Sequence, residues 1–276
     1  MGTLLVLVLL TQTQMDPAVG TIVAEHKSVA PGSTITVGLR VEMEAGWHIY
    51  WTNPGDSGMS AGVKWTAPKD IKIRALAWPA PHRVREGPLM MYGYDGVVLF
   101  LADVTVPAGF KGKSIAIGAE ADWLVCSDVC LEGGTTQSLS IPITAKRGEL
   151  LKKWVKLFRD SRAQLPQKTP GQSLSAQEGD GTLRLRLDAK LLALTKSTHA
   201  YFYPQRADVL AHAKKQELLR TKDAAVLVLP RGGQRPYRSL SGKSLTGVLV
   251  LKEGNQRRAF AVEVPVSSKN TKETSK

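Results

Sequence analysis

From residue 22 onward, short runs rich in β-branched and aromatic residues alternate with turn signals such as Pro-Gly and Ala-Gly. The clearest run is "TITVGLRVEM", in which Ile35, Val37, Leu39, Val41 and Met43 occupy every second position. Because successive side chains of a strand point to opposite faces, this alternation predicts a half-buried antiparallel strand. Further strands are predicted at "VKW", "IKIRALAW", "GVVLFLADVTVP", "KSIAIGAEADWLV" and "TTQSLSIPIT".

Seven or so short strands at this spacing are typical of an immunoglobulin-type β-sandwich, which we assign to residues 16–147. The period then changes: in residues 148–166, "GELLKKWVKLFRDSRAQLP", apolar residues recur at helical spacing, which predicts an amphipathic connector helix. A second β-rich segment, residues 170–266, predicts another sandwich. The predicted fold class is therefore mostly β, with two immunoglobulin-like β-sandwich domains joined by an amphipathic helix.

The two ends of the chain differ from this pattern. Residues 1–15 contain an apolar run from Leu4 to Leu10, which is far shorter than the roughly 20 residues of a membrane-spanning helix and fits a signal segment better. Residues 267–276 are polar and charged, which predicts a disordered tail. We therefore expect an exported, soluble protein in an envelope compartment where disulfides persist, which the resemblance described below identifies as the periplasm.

Charge and motifs exclude several function classes. The formal net charge is +13, but the basic residues are scattered among acidic ones, which indicates a solvated basic surface rather than a nucleic-acid site. Such a charge can still raise encounter rates with an acidic partner. The sequence has no phosphate-binding loop, no Ser-His-Asp signature and no nucleotide fingerprint, so we expect no cofactor.

The only two cysteines, Cys126 and Cys130, are separated by three residues. In an extended strand they would lie about 13 Å apart, too far for a disulfide, so the segment must bend, and a tight turn between two strands is the simplest solution. As a static staple, so short a loop would contribute only about 2 kcal/mol. The spacing therefore favours an exchangeable redox pair over a structural clip.

The cysteine pair could also bind a metal. Cys126, Cys130, His48, Met90 and Met91 offer soft ligands that would suit Cu(I), whereas two cysteines alone do not make a zinc site. We predict no metal, with copper left as an alternative.

Acidic residues flank the two thiols in the sequence. Asp122, Asp128 and Glu132 are close enough along the chain to disfavour the thiolates, so we expect raised thiol pKa values and slow thiols that are activated by a partner.

Three separated motifs occur in order and resemble one family: "GWHIYWTNPGDSGMS" (residues 46–60), "WPAPHRVREGPLMMYGYDG" (78–96) and "WLVCSDVC" (123–130). They are similar to the N-terminal periplasmic region of DsbD-type thiol:disulfide interchange proteins, especially the ScsB branch named for suppression of copper sensitivity. The second half, with "AYFYPQ" and "LTGVLVLKEGNQRRAFAVEVPV", is similar to the stretch that follows in ScsB-type proteins. The sequence departs from the family where Leu131 is followed by "EGGTT" rather than by a Pro-containing acidic stretch.

The resemblance implies that Cys126 and Cys130 are the redox pair of an immunoglobulin-like domain. Such a domain takes electrons from a membrane-embedded domain by way of a thioredoxin-like domain and reduces periplasmic thioredoxin-fold proteins. It also implies that the segment containing Met90, Met91, Tyr92 and Tyr94 is a candidate lid over the pair, although ordinary core and turn packing is the better explanation for most of the aromatic residues. Since we find neither a polytopic membrane domain nor a thioredoxin-like domain, we expect a separate membrane electron donor.

The leading hypothesis is therefore an exported protein-disulfide reductase-like exchange protein. The alternative is a non-catalytic module that docks partners or sequesters copper, in which the cysteines are a clip or metal ligands. A carbohydrate-binding sandwich is a weaker third possibility, because nothing about the paired cysteines supports it.

Overall fold

The computed structural model describes residues 16–179, 181–221, 224–232, 237 and 239–268. This part of the chain contains eighteen strands and one helix. The predicted signal segment, residues 1–15, lies outside the described residues.

The first half of the chain forms two sheets. Their strands are β1 (Ala18–Ala24), β2 (Thr34–Met43), β3 (His48–Gly55), β4 (Gly62–Thr66), β5 (Lys72–Ile73), β6 (His82–Glu86), β7 (Leu89–Asp95), β8 (Val97–Thr105), β9 (Ser114–Cys126) and β10 (Cys130–Pro142). One sheet has the order β1-β2-β8-β5, and the other has the order β10-β9-β3-β7-β6, with β4 beside β9.

The two sheets pack face to face through the alternating apolar residues of their strands. On β2, all five residues of the predicted buried face, Ile35 through Met43, are at most 5% exposed, which confirms the predicted strand. Ile35 and Val37 join Ile115 and Ile117 of β9 in one core cluster. The inward faces of the two sheets therefore enclose a continuous sandwich core.

A single short helix, α1 (Val155–Gln164), lies against the first sheet. Its Phe158 is fully buried with Val23 and Leu99. The Ser161 hydroxyl donates to the Leu99 carbonyl at 2.6 Å. The helix packs on the sandwich through this one side.

The helix begins later than the sequence predicted, at Val155 rather than near residue 148. The residues before it are bonded to the first sandwich instead: the Lys27 amide donates to the Glu149 carbonyl at 2.9 Å, and the Leu151 amide donates to the Glu25 carbonyl at 2.8 Å. These hydrogen bonds hold the backbone extended where the apolar spacing alone favoured a helix.

The second half of the chain forms one hydrogen-bonded set of eight strands. They are β11 (Gln167–Lys168), β12 (Leu174–Gly179), β13 (Thr182–Asp188), β14 (His199–Pro204), β15 (Glu217–Arg220), β16 (Ala224–Pro230), β17 (Ser244–Glu253) and β18 (Gln256–Ser268). Their order is β14-β17-β18-β12-β13-β16-β15, with β11 beside β18. Leucines of β13, β16 and β17 fill a core of their own.

The last strand corrects the predicted start of the tail. Ser267 and Ser268 pair in parallel with Gln177 and Glu178 of β12, so the chain stays in the sheet two residues beyond the predicted boundary. Residues 269–276 of the predicted tail lie outside the described residues. In the described ranges, no helix combines the length and the apolar character that crossing a bilayer requires.

Candidate functional site

The two cysteines close the hairpin between β9 and β10. Cys126 and Cys130 are directly opposite each other in the strand register, and a disulfide joins them with their Cα atoms 4.1 Å apart. The turn between them is Ser127–Asp128–Val129, in which the Ser127 amide donates to the Val129 carbonyl at 2.9 Å. The predicted tight turn between two strands is therefore confirmed.

The two halves of the disulfide have different surroundings. Cys126 is 0% exposed, whereas Cys130 is exposed, and the neighbouring Val129 is 58% exposed. Cys126 lies on the face of β9 that points away from the sandwich core, because Val125 before it belongs to that core. Side chains on the outer face of the same sheet must therefore bury it.

The β6–β7 hairpin and β3 supply this cover. Cys126 forms a small cluster with Tyr50 of β3 and Met91 of β7. The half-buried Val84 and Leu89, on either side of the hairpin turn, pack against the same cluster. Cys126 is thus packed in a small apolar cluster, called the pocket of Cys126 below, on the outer face of the sheet.

The four predicted lid residues divide between the two faces of β7. Met91 lies in the cluster of Cys126, whereas Met90, Tyr92 and Tyr94 belong to the core on the opposite face. The alternation of strand side chains explains this division. All four are buried, and the structure brings only Met91 to the disulfide.

Tyr92 and Tyr94 make their hydrogen bonds away from the disulfide. The Tyr92 hydroxyl lies 3.0 Å from His212 Nδ1 and 3.2 Å from the Tyr201 hydroxyl, both in the second half of the chain. The Tyr94 hydroxyl donates to the Pro79 carbonyl at 2.7 Å. Burial raises the pKa of both tyrosines well above 10.0, so they stay protonated donors.

The segment "NPGDSG" is a structured turn that holds Tyr50 against the disulfide. Gly58 has φ +102°, and a Cβ on it would lie 2.2 Å from the Tyr50 ring, so the residue must be glycine for the loop to approach so closely. Asp56 accepts from the Met90 amide at 2.9 Å, and the Asn53 side chain donates to the Pro204 carbonyl at 2.7 Å. This turn therefore also joins the two halves of the chain.

His48 is the principal residue that sequence reasoning missed at this site, since it was considered there only as a copper ligand. It is 4% exposed and pairs in register with Cys126 on one side and with Asp95 on the other. Directly opposite residues project from the same face of a sheet with Cβ atoms about 5 Å apart. His48 is therefore a side-chain neighbour of Cys126.

The His48 ring is enclosed but incompletely hydrogen-bonded. It packs edge-on against Tyr50 at 5.1 Å between ring centroids, and its Nε2 lies 3.8 Å from Glu86 Oε1. Within the described residues this buried nitrogen has no hydrogen-bond partner. Burial lowers the pKa of His48 below 6.5, while the charge of Glu86 acts to raise it. Burial also raises the pKa of Tyr50 to about 12, so this neighbour stays uncharged.

The three acidic residues predicted to modulate the thiols are all exposed. Asp128 lies in the turn that the disulfide closes, and Glu132 is two residues beyond Cys130 on β10. Asp122 is four residues before Cys126 on an extended strand, about 13 Å along the chain. The structure adds Glu86, whose place near the pocket depends on the β6–β7 hairpin.

Four of the five soft side chains considered for copper lie on the outer face, namely His48, Met91 and the disulfide-bonded Cys126 and Cys130. Met90 lies on the other face of β7. In the described part of the chain, no three His, Cys, Asp or Glu side chains are grouped as a metal site.

Comparison with known proteins agrees with this geometry. Residues 20–142 match the family model described as "Thiol:disulfide interchange protein DsbD, N-terminal". The crystal structure of the N-terminal periplasmic domain of ScsB from Proteus mirabilis is 18% identical with a TM-score of 0.63, covering 92% of this chain and 96% of that chain. No curated protein sequence matches the chain.

Two further solved structures are similar only in part. A chimeric titin Z1Z2 is 15% identical with a TM-score of 0.22, covering 92% of this chain and 99% of that chain. The yeast GGA1 GAE domain is 15% identical with a TM-score of 0.26, covering 46% of this chain and 95% of that chain. The family model confirms the resemblance found in the sequence over residues 20–142, and the ScsB structure confirms the mostly β, immunoglobulin-like fold class.

Proposed function

We propose that residues 20–142 act as a thiol:disulfide exchange domain of the DsbD N-terminal type, and that the chain passes electrons through Cys126 and Cys130 between separate redox proteins. The donor would be a membrane or thioredoxin-like protein, and the acceptors would be thioredoxin-fold proteins of the periplasm. The family match supports both parts of this proposal.

The observation that carries this proposal is the unequal exposure of the two cysteines. A partner thiolate can approach exposed Cys130, whereas Cys126 is enclosed by Tyr50 and Met91. Attack on Cys130 Sγ forms a mixed disulfide with the partner and releases Cys126 as the thiolate leaving group. In the opposite direction, Cys130 attacks a partner disulfide, and Cys126 then displaces the partner.

The first test is the reduction potential of the Cys126–Cys130 disulfide in the purified protein. The protein is equilibrated with defined thiol buffers, and its free thiols are trapped. A potential between about −120 and −270 mV is expected for an exchange protein. A value below about −300 mV would identify a structural clip and favour the non-catalytic binding module instead.

The second test uses the two cysteines as each other's control. Cys126→Ser keeps the exposed thiol but removes the one that resolves the mixed disulfide, so it should accumulate a mixed disulfide with an oxidised thioredoxin-fold protein. Cys130→Ser leaves only the buried thiol and should trap little. Equal trapping by both variants would contradict the assigned order of attack.

A further inference from the structure

The outer face of the six-stranded sheet carries a row of titratable side chains that begins at the buried cysteine. Across β9, β3 and β7, Cys126, His48 and Asp95 are successive register partners. On β6, Glu86 approaches the His48 ring, and His82 Nε2 lies 3.1 Å from Asp95. A row of proton-binding groups therefore lies between an enclosed sulfur and the surface.

Exchange chemistry requires a proton to leave Cys126. The thiolate is the attacking form, yet Cys126 is 0% exposed, so its thiol has no direct contact with water. A buried thiol also has a raised pKa, because burial disfavours the charged form. A neighbouring base is the usual means of activating such a nucleophile.

His48 has the position and the free nitrogen for this role. It is the cross-strand neighbour of Cys126, and its buried Nε2 is without a hydrogen bond in the described residues. The side chain of Glu86 is 45% exposed, so it bridges the ring and the solvent. The charge of Glu86 stabilises an imidazolium next to it.

We propose that His48 accepts the proton of the Cys126 thiol and that Glu86 stabilises the imidazolium so formed and leads the proton to water. The proposal rests on the exchange function proposed above and deepens it, because it assigns the proton route of the resolving step. His48 is a positioning and proton-accepting residue for Cys126 and does not contact the partner.

In this step Cys126 attacks the mixed disulfide between Cys130 and the partner. The S–H proton of Cys126 moves to the imidazole of His48, and the sulfur keeps the electron pair. This pair forms the bond to Cys130 Sγ, while the bond between Cys130 and the partner sulfur breaks. The partner sulfur leaves with its electron pair and takes a proton from solvent. The cysteine pair is oxidised by two electrons, and the partner disulfide is reduced.

The test follows the reduced full chain as it reacts with the chromogenic disulfide dithiobis(nitrobenzoate). Attack by Cys130 releases one coloured thiolate, and resolution by Cys126 then releases the second, so rapid mixing separates the two steps. We expect His48→Gln to slow the second release about 100-fold near neutral pH and to leave the first unchanged. His199→Gln, at an exposed position on β14, is the matched control and should change neither.

The pH profile distinguishes a proton acceptor from a packing residue. In the wild type, the rate of the second release should rise as His48 loses its proton and then level off. In His48→Gln it should keep rising with pH, because only the pKa of the Cys126 thiol then matters. The charged groups that influence His48 are Glu86 and His82 of β6 and Asp95 of β7.

A second variant, Glu86→Gln, keeps the proposal testable if His48→Gln does not fold. Glu86→Gln changes a half-exposed side chain, and because the charge of Glu86 raises the pKa of His48, its loss should move the inflection to lower pH. A second release with unchanged rate and pH profile in His48→Gln, or an unmoved inflection in Glu86→Gln, would overturn the proton route. Failure of the wild type to release even the first thiolate would contradict the exchange function itself.

Discussion

The two faces of β7 differ in what they pack against, although their residues alternate along one strand. The outer face places Met91 with Tyr50 and Cys126. The inner face places Met90, Tyr92 and Tyr94 in a core that includes residues of both halves of the chain. The same hairpin therefore covers the disulfide on one side and holds the second sandwich on the other.

The neighbouring strand β6 repeats this division. Val84 packs against the disulfide cluster, and Glu86 approaches His48. At the alternate positions of β6, Arg85 donates to the Ala213 carbonyl at 3.3 Å, and the Arg83 guanidinium lies 4.6 Å from the centroid of the Tyr201 ring. The second half of the chain therefore contacts both strands of the hairpin that covers the disulfide.

The largest effect is expected from the inner face. Tyr92→Ala removes a ring that is 0% exposed, together with its hydroxyl contacts to Tyr201 and His212. The free energy of unfolding should fall by about 3 to 5 kcal/mol, measured by urea denaturation. Tyr92→Phe keeps the ring and should lose only about 1 kcal/mol. Equal losses in the two variants would show that the ring packing is not what joins the sandwiches.

The adjacent methionines offer a matched comparison of the two faces. Met90 is 5% exposed and Met91 is 1% exposed, so either alanine substitution should cost about 2 to 5 kcal/mol of unfolding free energy. Only Met91→Ala opens the pocket of Cys126 to water, which stabilises the departing Cys126 thiolate. The disulfide of Met91→Ala should therefore react with dithiothreitol several-fold faster than the disulfide of Met90→Ala. Equal rates in the two variants would mean that Met91 does not shield the sulfur.

The outer face should also make stability depend on pH. Burial lowers the pKa of His48 below 6.5, so below that pH the unfolded chain binds a proton that the folded chain resists. Stability should be full above about pH 7 and decrease as the pH falls below 6.5, by up to about 1.4 kcal/mol per pH unit for this group. Denaturation of His48→Gln at several pH values should show a shallower decrease, whereas His199→Gln should match the wild type.

The smallest effect is expected at Arg83, an exposed contact between β6 and the second half of the chain. Arg83→Ala removes a cation near the Tyr201 ring and should lower the unfolding free energy by about 0.5 kcal/mol. Arg184→Ala, at an exposed position of β13, is the control. If Arg83→Ala instead lowered the unfolding free energy by several kcal/mol, Arg83 would contribute more than an exposed cation–π contact does.

Local patterns were enough to predict β2 and the turn between the cysteines, but not every strand. Neither β6 nor β7 was predicted, and the strand predicted at "IKIRALAW" is limited to Lys72–Ile73. Alternation predicted β2 because burial repeats every second residue, and the cysteine spacing required a bend because a disulfide has a short reach. The sequence could not predict the cover of Cys126. That cover depends on β9 pairing with β3 and β3 pairing with β7, and such a register joins residues distant in the chain.

The same limit explains the residues missed at the site and in the interface. His48 and Tyr50 have the spacing of one strand face, but nothing local indicates that this face meets a sulfur. Tyr92 meets Tyr201 and His212, which are 109 and 120 residues away. The apolar spacing near residue 150 predicted an early helix start because it carries no information about hydrogen bonds to residues 25 and 27.

The register of the cysteine hairpin determines how much the docking surface can change when the disulfide opens. Cys126 and Cys130 already face each other at the end of a ladder of paired backbone residues that runs to Ser114 and Pro142. Opening the disulfide removes one covalent bond but leaves this ladder in place. The oxidised and reduced forms should therefore have nearly the same outline, so a docking protein meets the same surface before and after transfer. In the proposed exchange, the direction of electron flow then follows from the difference in reduction potential between the two proteins, and not from a change of shape.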